Sequence, residues 1–281
     1  STEEDKAGFA EFWIDEQVLR QFREGKGYFE LWMLREAMQQ FRQVIDNEPD
    51  FVLGRLYLAL TYYRSDDLDH AEQQFKLVLN TASHDAFRQM AYQMLGCTMV
   101  KLKNEREAIR HFSRALELES DNADTLYNLG TCYYRQQSIR LAIPCFEQAI
   151  LASEDDWESM LYLARCYTAL GERELGAHWR KKAYVTSHKP WIITEIADEY
   201  ELQGHLEKAL SWHRYSVAKH PERVEGYHGV AWNLWMRNRH SEALLWLKKA
   251  LSLQPDDSNV LFSYWLVTRQ VGTGREKERI E

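Results

Sequence analysis

Helix breakers are scarce in this chain: 5 prolines and 13 glycines in 281 residues leave long stretches free to run as helix. No apolar run approaches the roughly 18 residues a membrane-crossing helix needs, so direct membrane insertion is not expected. The acidic start, Ser1 to Asp5, has neither the basic nor the apolar region of a signal peptide, and the expectation is a soluble, cytoplasmic protein. Cysteine is limited to Cys97, Cys132, Cys145 and Cys166, far apart and without a CxxC pair. That pattern signals neither a zinc knuckle nor a redox motif, and reduced core thiols are expected. Positive charge is in deficit, 35 − 43 = −8, which argues against a broad phosphate-binding surface and hence against nucleic acid as a partner.

Catalytic signatures are missing too. The ten histidines are scattered, with no HExxH and no pair of histidines spaced with a carboxylate, so no metal site is expected. The Gly272 to Gly274 segment lacks the length and the following lysine of a phosphate loop, and no GxSxG nucleophile turn occurs. The chain therefore reads as no enzyme and as needing no cofactor.

What is present is a ladder. Hydrophobic residues make up 45% and aromatics 13% of the chain, enough for a well-packed helical protein. A small residue followed four positions later by a bulky one recurs at Ala37, Ala71, Ala108, Ala142, Gly176, Ala209 and Ala243, with spacings of 34, 37, 34, 34, 33 and 34. Twelve residues before each stands another small residue: Gly25, Ala59, Gly96, Gly130, Ala164, Ala197 and Ala231. Three after each of these comes a large one: Tyr28, Tyr62, Met99, Tyr133, Tyr167, Tyr200 and Leu234. Small residues let two antiparallel helices approach, and the neighbouring large side chain fills the space beside the contact. The bulky partner column reads Phe41, Phe75, Phe112, Phe146, Arg180, His213 and Leu247, so packing in the fifth and sixth units should be atypical. Pro49, Pro221 and Pro255, each twelve residues after its small residue, mark helix ends.

These columns resemble the tetratricopeptide repeat, whose 34-residue unit is a helix-turn-helix with W-x2-L-G-x2-Y, then A-x3-F, then P. Leu129, Gly130 and Tyr133, followed by Ala142 and Phe146, make the best single match, and the resemblance covers roughly residues 18–257. It implies an all-α, right-handed α-solenoid of about seven repeats, starting near 18, 52, 89, 123, 157, 190 and 224. Residues 1–17 and 258–271 would be terminal capping helices, and 272–281 a flexible tail. In the leading helix Phe9, Phe12 and Trp13 would share one face, covering the first repeat or docking something else. The spacing of 37 predicts a bulged loop near Asn80 to Asp85, and Pro144 predicts a kink.

The resemblance further implies that the first helix of each pair lines a concave groove that holds a partner's polypeptide. Counting the first small column as position 8, positions 2, 5, 6, 9, 12 and 13 would face that groove. The candidates are then Arg64, Lys101 and Arg135 at position 13, with Arg165, as a basic stripe; Tyr57, Tyr63, Tyr127, Tyr134 and Tyr162 as amphipathic rings beside it; and Asn128 as a bidentate amide. Glu195 and Asp198, with Glu201, reverse the sign, and Trp232 and Trp235 close the series. A partner carrying acidic groups toward one end and basic or apolar groups toward the other would suit such a groove, the alternative being an ordinary solvated face. The carboxylate clamp of the family's chaperone-tail receptors is absent: Asn128 fits its middle site, but Gln93 and Cys97 precede it, and Glu158 and Tyr162 follow. The expected function is a protein-interaction scaffold or adaptor. The alternatives are a regulatory peptide receptor and the recruitment arm of a larger enzyme or transcription regulator. The aromatic terminal helices and Trp232, Trp235, Trp246 and Trp265 also offer surfaces for a homodimer.

Overall fold

The computed structural model describes residues 14–277, with side chains described for 14–271. The leading segment with Phe9, Phe12 and Trp13 lies outside the described residues. Fifteen helices and no strand occur among the described residues. In order they are α1 (Glu16–Glu30), α2 (Leu34–Asn47), α3 (Val52–Arg64), α4 (Leu68–Thr81), α5 (Asp85–Lys101), α6 (Glu105–Leu118), α7 (Ala123–Arg135), α8 (Ile139–Ala152), α9 (Trp157–Ala169), α10 (Arg173–Ser187), α11 (Pro190–Leu202), α12 (Leu206–Lys219), α13 (Val224–Met236), α14 (His240–Leu253) and α15 (Ser258–Lys277). They form two compact units, residues 1–154 with α1 to α8 and residues 155–281 with α9 to α15. None of the helices searched is long and apolar enough to cross a membrane.

Each odd-numbered helix packs against the even-numbered helix that follows, and the two sequence columns meet there. Phe41, Phe75, Phe112 and Phe146 are fully buried. A methyl group on Gly25, Gly96 or Gly130 would come within 2.7, 2.4 or 2.8 Å of the ring edge of Phe41, Phe112 or Phe146, so the phenyl ring occupies the space that glycine vacates. Removing each ring from water contributes on the order of 2–3 kcal/mol. The third column acts through its backbone. The carbonyls of Tyr28, Tyr62, Met99, Tyr133, Tyr167, Tyr200 and Leu234 each accept a hydrogen bond from the amide five residues on, at 2.8–3.0 Å. Every one of these turns places a residue in the left-handed region, namely Trp32, Asp66, Lys103, Gln137, Gly171, Gly204 and Asn238. This six-to-one closure satisfies helix-end carbonyls and sets the reversal between the two helices of a pair.

Within each unit the two kinds of helix differ in spacing. In residues 1–154, α1 approaches α3, α3 approaches α5 and α5 approaches α7; in residues 155–281, α11 approaches α13 and α13 approaches α15. No two second helices approach one another among the described residues. First helices are thus the more closely spaced kind in each unit, with the exception of α9 and α11, which do not approach one another in this way.

Three expectations need correction. α1 starts at Glu16, capped by the Asp15 carboxylate on the Gln17 amide at 2.7 Å, so the first pair begins ahead of residue 18 and a capping helix cannot run through 17. The three additional residues of the second unit do not bulge. α4 runs to Thr81 and α5 begins at Asp85, so they lengthen the start of a 17-residue helix, because an added helical turn satisfies its own backbone as a loop cannot. Pro144 sits inside α8 without ending it, the helix running on to Ala152. Finally α15 runs to Lys277 rather than ending at Val271, since Gly272 and Gly274 each cost only about 1 kcal/mol and no proline follows. On α15 the small-column position is occupied by Trp265, 52% exposed, in place of the glycine or alanine of the other first helices.

Candidate partner-binding face

In residues 1–154 the sequence-predicted groove residues divide by what they already touch. Tyr57 belongs to an aromatic cluster, its ring 5.4, 5.5 and 5.6 Å from those of Phe22, Phe29 and Phe41. Arg64 lies over Phe29 at 3.7 Å and Trp32 at 4.9 Å, and donates to the Phe29 carbonyl at 3.2 Å. Lys101 repeats this move one unit later. Its ammonium sits 4.2 Å above the Tyr63 ring, donates to the Tyr63 carbonyl at 3.3 Å and pairs with Asp66 at 3.0 Å. A position-13 cation thus reaches back to the turn of the preceding pair, gripping its position-12 ring and its left-handed residue. Burial, with Cys97 and Asp66 nearby, pushes the Tyr63 phenol upward, so it stays a neutral donor.

Arg135 finds no such grip. The corresponding turn offers Val100 and Lys103, an aliphatic side chain and a like charge. Arg135 is exposed and makes neither a hydrogen bond nor an ion pair among the described residues. Elsewhere on α7, Tyr127 packs with its ring 6.2 Å from Phe146, and Tyr134 and Asn128 are half-buried; the Asn128 amide lies 3.9 Å from the Cys97 sulfur. Burial holds the Cys97 thiol at about 11, which makes it a packing group rather than a nucleophile.

In residues 155–281 the predicted residues belong mostly to a polar network. Arg165, above the Tyr162 ring at 5.3 Å, donates two hydrogen bonds to Glu195 at 3.0 and 3.1 Å. Arg180, which stands in the Phe column, is 4% exposed; it donates to Thr168 at 2.9 Å and lies 3.6 Å from Glu195 and 3.8 Å from Glu199. His213, in the same column one unit later and 2% exposed, lies 3.1 Å from Glu201. Asn233, fully buried, donates to Glu201 at 3.1 Å and to the Leu206 carbonyl at 3.0 Å. Asp198 is exposed at the edge of this network and lines a pocket of about 220 Å³ with Trp191, Glu195 and Glu225. Desolvation raises its carboxyl, Glu201 and Glu195 add to the effect, and His213 opposes it. Trp232 and Trp235 are half-buried with ring centroids 4.6 Å apart, and the Trp235 indole donates to Gln270.

Arg165 and Glu195, read from sequence as opposite signs offered to a partner, therefore neutralise each other. Sequence reasoning also missed the grouping of Asp198, Glu201 and His213. The signal was there in two parts: Arg and His replacing Phe at 180 and 213, and carboxylates at 195, 198 and 201, one face of one helix.

Comparison with known proteins agrees with this geometry. A TPR repeat model matches residues 103–137 and a tetratricopeptide repeat model matches residues 133–184. Residues 103–184 carry tetratricopeptide repeats. Among curated relatives of this repeat protein, superkiller protein 3 of Schizosaccharomyces pombe is 25% identical over 148 residues, covering 51% of this chain and 11% of that one. The tetratricopeptide repeat-containing protein trd-1 of Caenorhabditis elegans is 20% identical over 192 residues, covering 66% of this chain and 21% of that one. The chain thus spans about a tenth to a fifth of the length of these relatives. Among solved structures, the C-terminal part of a TPR repeat-containing protein from Cytophaga hutchinsonii superposes with a TM-score of 0.71 at 16% identity, over 86% of this chain and 98% of that one. At that identity the likeness establishes the fold.

Proposed function

We propose that this repeat protein is a non-catalytic interaction scaffold, built of seven helix pairs, that holds a polypeptide segment of a protein partner along its first-helix layer. In residues 1–154 the contact centres on Tyr127, Asn128, Tyr134 and Arg135, and the partner presents an acidic group to Arg135. The observation that carries this reading is Arg135 itself. Arg64 and Lys101, at the same position of the preceding pairs, are engaged with the protein's own rings and carbonyls, whereas Arg135 is exposed with its donors unpaired, on the helix that carries the half-buried Tyr127 and Tyr134. An exposed guanidinium with free donors is a recognition element for carboxylate, since its planar fork offers two parallel hydrogen bonds. A net charge of −8 favours protein over nucleic acid as the ligand.

The test is quantitative retention of a partner by the wild-type protein, by Arg135→Glu, by Tyr127→Ala with Tyr134→Ala, and by Lys101→Glu. The reading expects Arg135→Glu and the double tyrosine change to weaken binding at least about tenfold, and Lys101→Glu to act chiefly on stability. Full retention by Arg135→Glu sinks the specific site.

A further inference from the structure

The polar network of residues 155–281 contains a feature that partner binding does not call for. Asp198 and Glu201 lie one turn apart on α11, and His213 of α12 faces them. The donor atoms of the three side chains all lie within 4.8 Å of one another, and His213 Nε2 is 3.1 Å from Glu201 Oε1. Three charge and hydrogen-bond observations separate this group from an ordinary acidic surface. Glu195 and Glu199, on the same helix, have Arg165 and Arg180, but no lysine or arginine pairs with Asp198 or Glu201 among the described residues, and His213 is the one basic group that pairs with either. His213 occupies a buried position that carries Phe in four other pairs, so its imidazole is withdrawn from water beside two carboxylates. Asn233, fully buried on α13, is directed at the same cluster by its hydrogen bond to Glu201, and its Oδ1 has no hydrogen-bond partner.

We propose that Asp198, Glu201 and His213 bind a divalent transition-metal ion of the zinc class. One imidazole and two carboxylates form a nitrogen-oxygen donor set suited to such an ion, with solvent completing the coordination. Donor distances of about 2.0–2.2 Å to a tetrahedral ion require donor separations of about 3.4 Å. The His213 to Glu201 separation is close to that already, and the exposed Asp198 has the freedom to swing in the remaining distance from the open pocket beside it. His213 binds through the neutral Nε2, and Asn233 orients Glu201 as metal-ligating carboxylates are oriented elsewhere by a buried donor. A bound ion would tie α11 to α12, a stabilising role independent of the partner-binding reading.

The experiment uses the untagged full chain, treated with chelator and dialysed, titrated with zinc chloride by calorimetry and then melted with and without zinc. The proposal expects one saturable site and a rise in melting temperature of about 5–10 °C at a hundredfold excess over Kd. Asp198→Asn, an exposed change that spares the core, should weaken zinc binding at least about tenfold and leave the metal-free melting temperature unchanged or raised. His213→Phe, which restores the ring of the other pairs, should give a folded protein whose melting is insensitive to zinc. Absence of a saturable site overturns the proposal, as does zinc binding that Asp198→Asn leaves intact; either result reduces the cluster to a histidine-carboxylate hydrogen bond.

Discussion

Alanine in place of Gly96, compared with alanine in place of Gly27, isolates the interlock on which the fold rests. Both glycines lie in first helices of the same unit, so replacing either by alanine gains about 0.5–1 kcal/mol of helix propensity. They differ in what the new methyl meets. At Gly27 there is nothing within 4 Å; at Gly96 the methyl would lie 2.4, 2.6 and 2.7 Å from three carbons of the Phe112 ring. Ordinary contact needs about 3.5–4.0 Å, so ring or helix must yield by an ångström or more, and Phe112 is fully buried with no free space to enter. Overpacking of that kind costs about 1–3 kcal/mol. Gly27→Ala should therefore stabilise by up to about 1 kcal/mol, while Gly96→Ala should be neutral to destabilising by about 2 kcal/mol, a separation near 2 kcal/mol. Urea denaturation followed by circular dichroism measures both against the wild type, the midpoints converting at constant slope. Equal stabilisation by the two substitutions would refute the view that the glycine column exists to seat the ring.

Three further outcomes follow from the same geometry. Gly204→Ala should destabilise by about 1 kcal/mol in a denaturation curve although nothing lies near the site, because φ is +76° there and an L side chain resists that conformation. Cys97, Cys132 and Cys145, each held at about 11 chiefly by burial, should alkylate at pH 8 at least about a hundredfold more slowly in the folded protein than in urea, as mass spectrometry of each site would read. Burial holds His228 below the usual imidazole range, so the unfolded chain takes up its proton first. Stability should accordingly fall as pH drops below about 6.5, and His228→Gln should flatten that slope in melting curves taken between pH 7 and 5.

The pairing of helices was legible because its determinants are local and repeated: a small residue, a ring three or four positions away, and a fixed period. Even the left-handed residue of each turn follows that period, from Trp32 to Asn238, although only Gly171 and Gly204, and more weakly Asp66 and Asn238, advertise it by residue type. The placement of the extra residues before α5 was not legible, since a loop and an added helical turn read alike until the backbone is traced. Long cations were the hardest to assign. Register puts Arg64, Lys101 and Arg135 at one position, but only the preceding turn decides whether a cation is engaged: Phe29 with Trp32 holds the first, Tyr63 with Asp66 the second, and Lys103 holds nothing. The network of Arg165, Arg180, Glu195 and Glu199 escaped for a similar reason, since residues 15 to 30 apart become partners only once three helices are stacked.

A photo-crosslinking residue placed at position 134 and, separately, at the site of Leu151 tests the central claim, that partners lie on the first helices. Leu151 is 82% exposed on the second helix α8 and Tyr134 is half-buried on the first helix α7, so the two probes mark different layers. The account predicts a discrete crosslinked partner from position 134, lost on Arg135→Glu, and none from position 151. The same partner captured at 151 and not at 134 would contradict it.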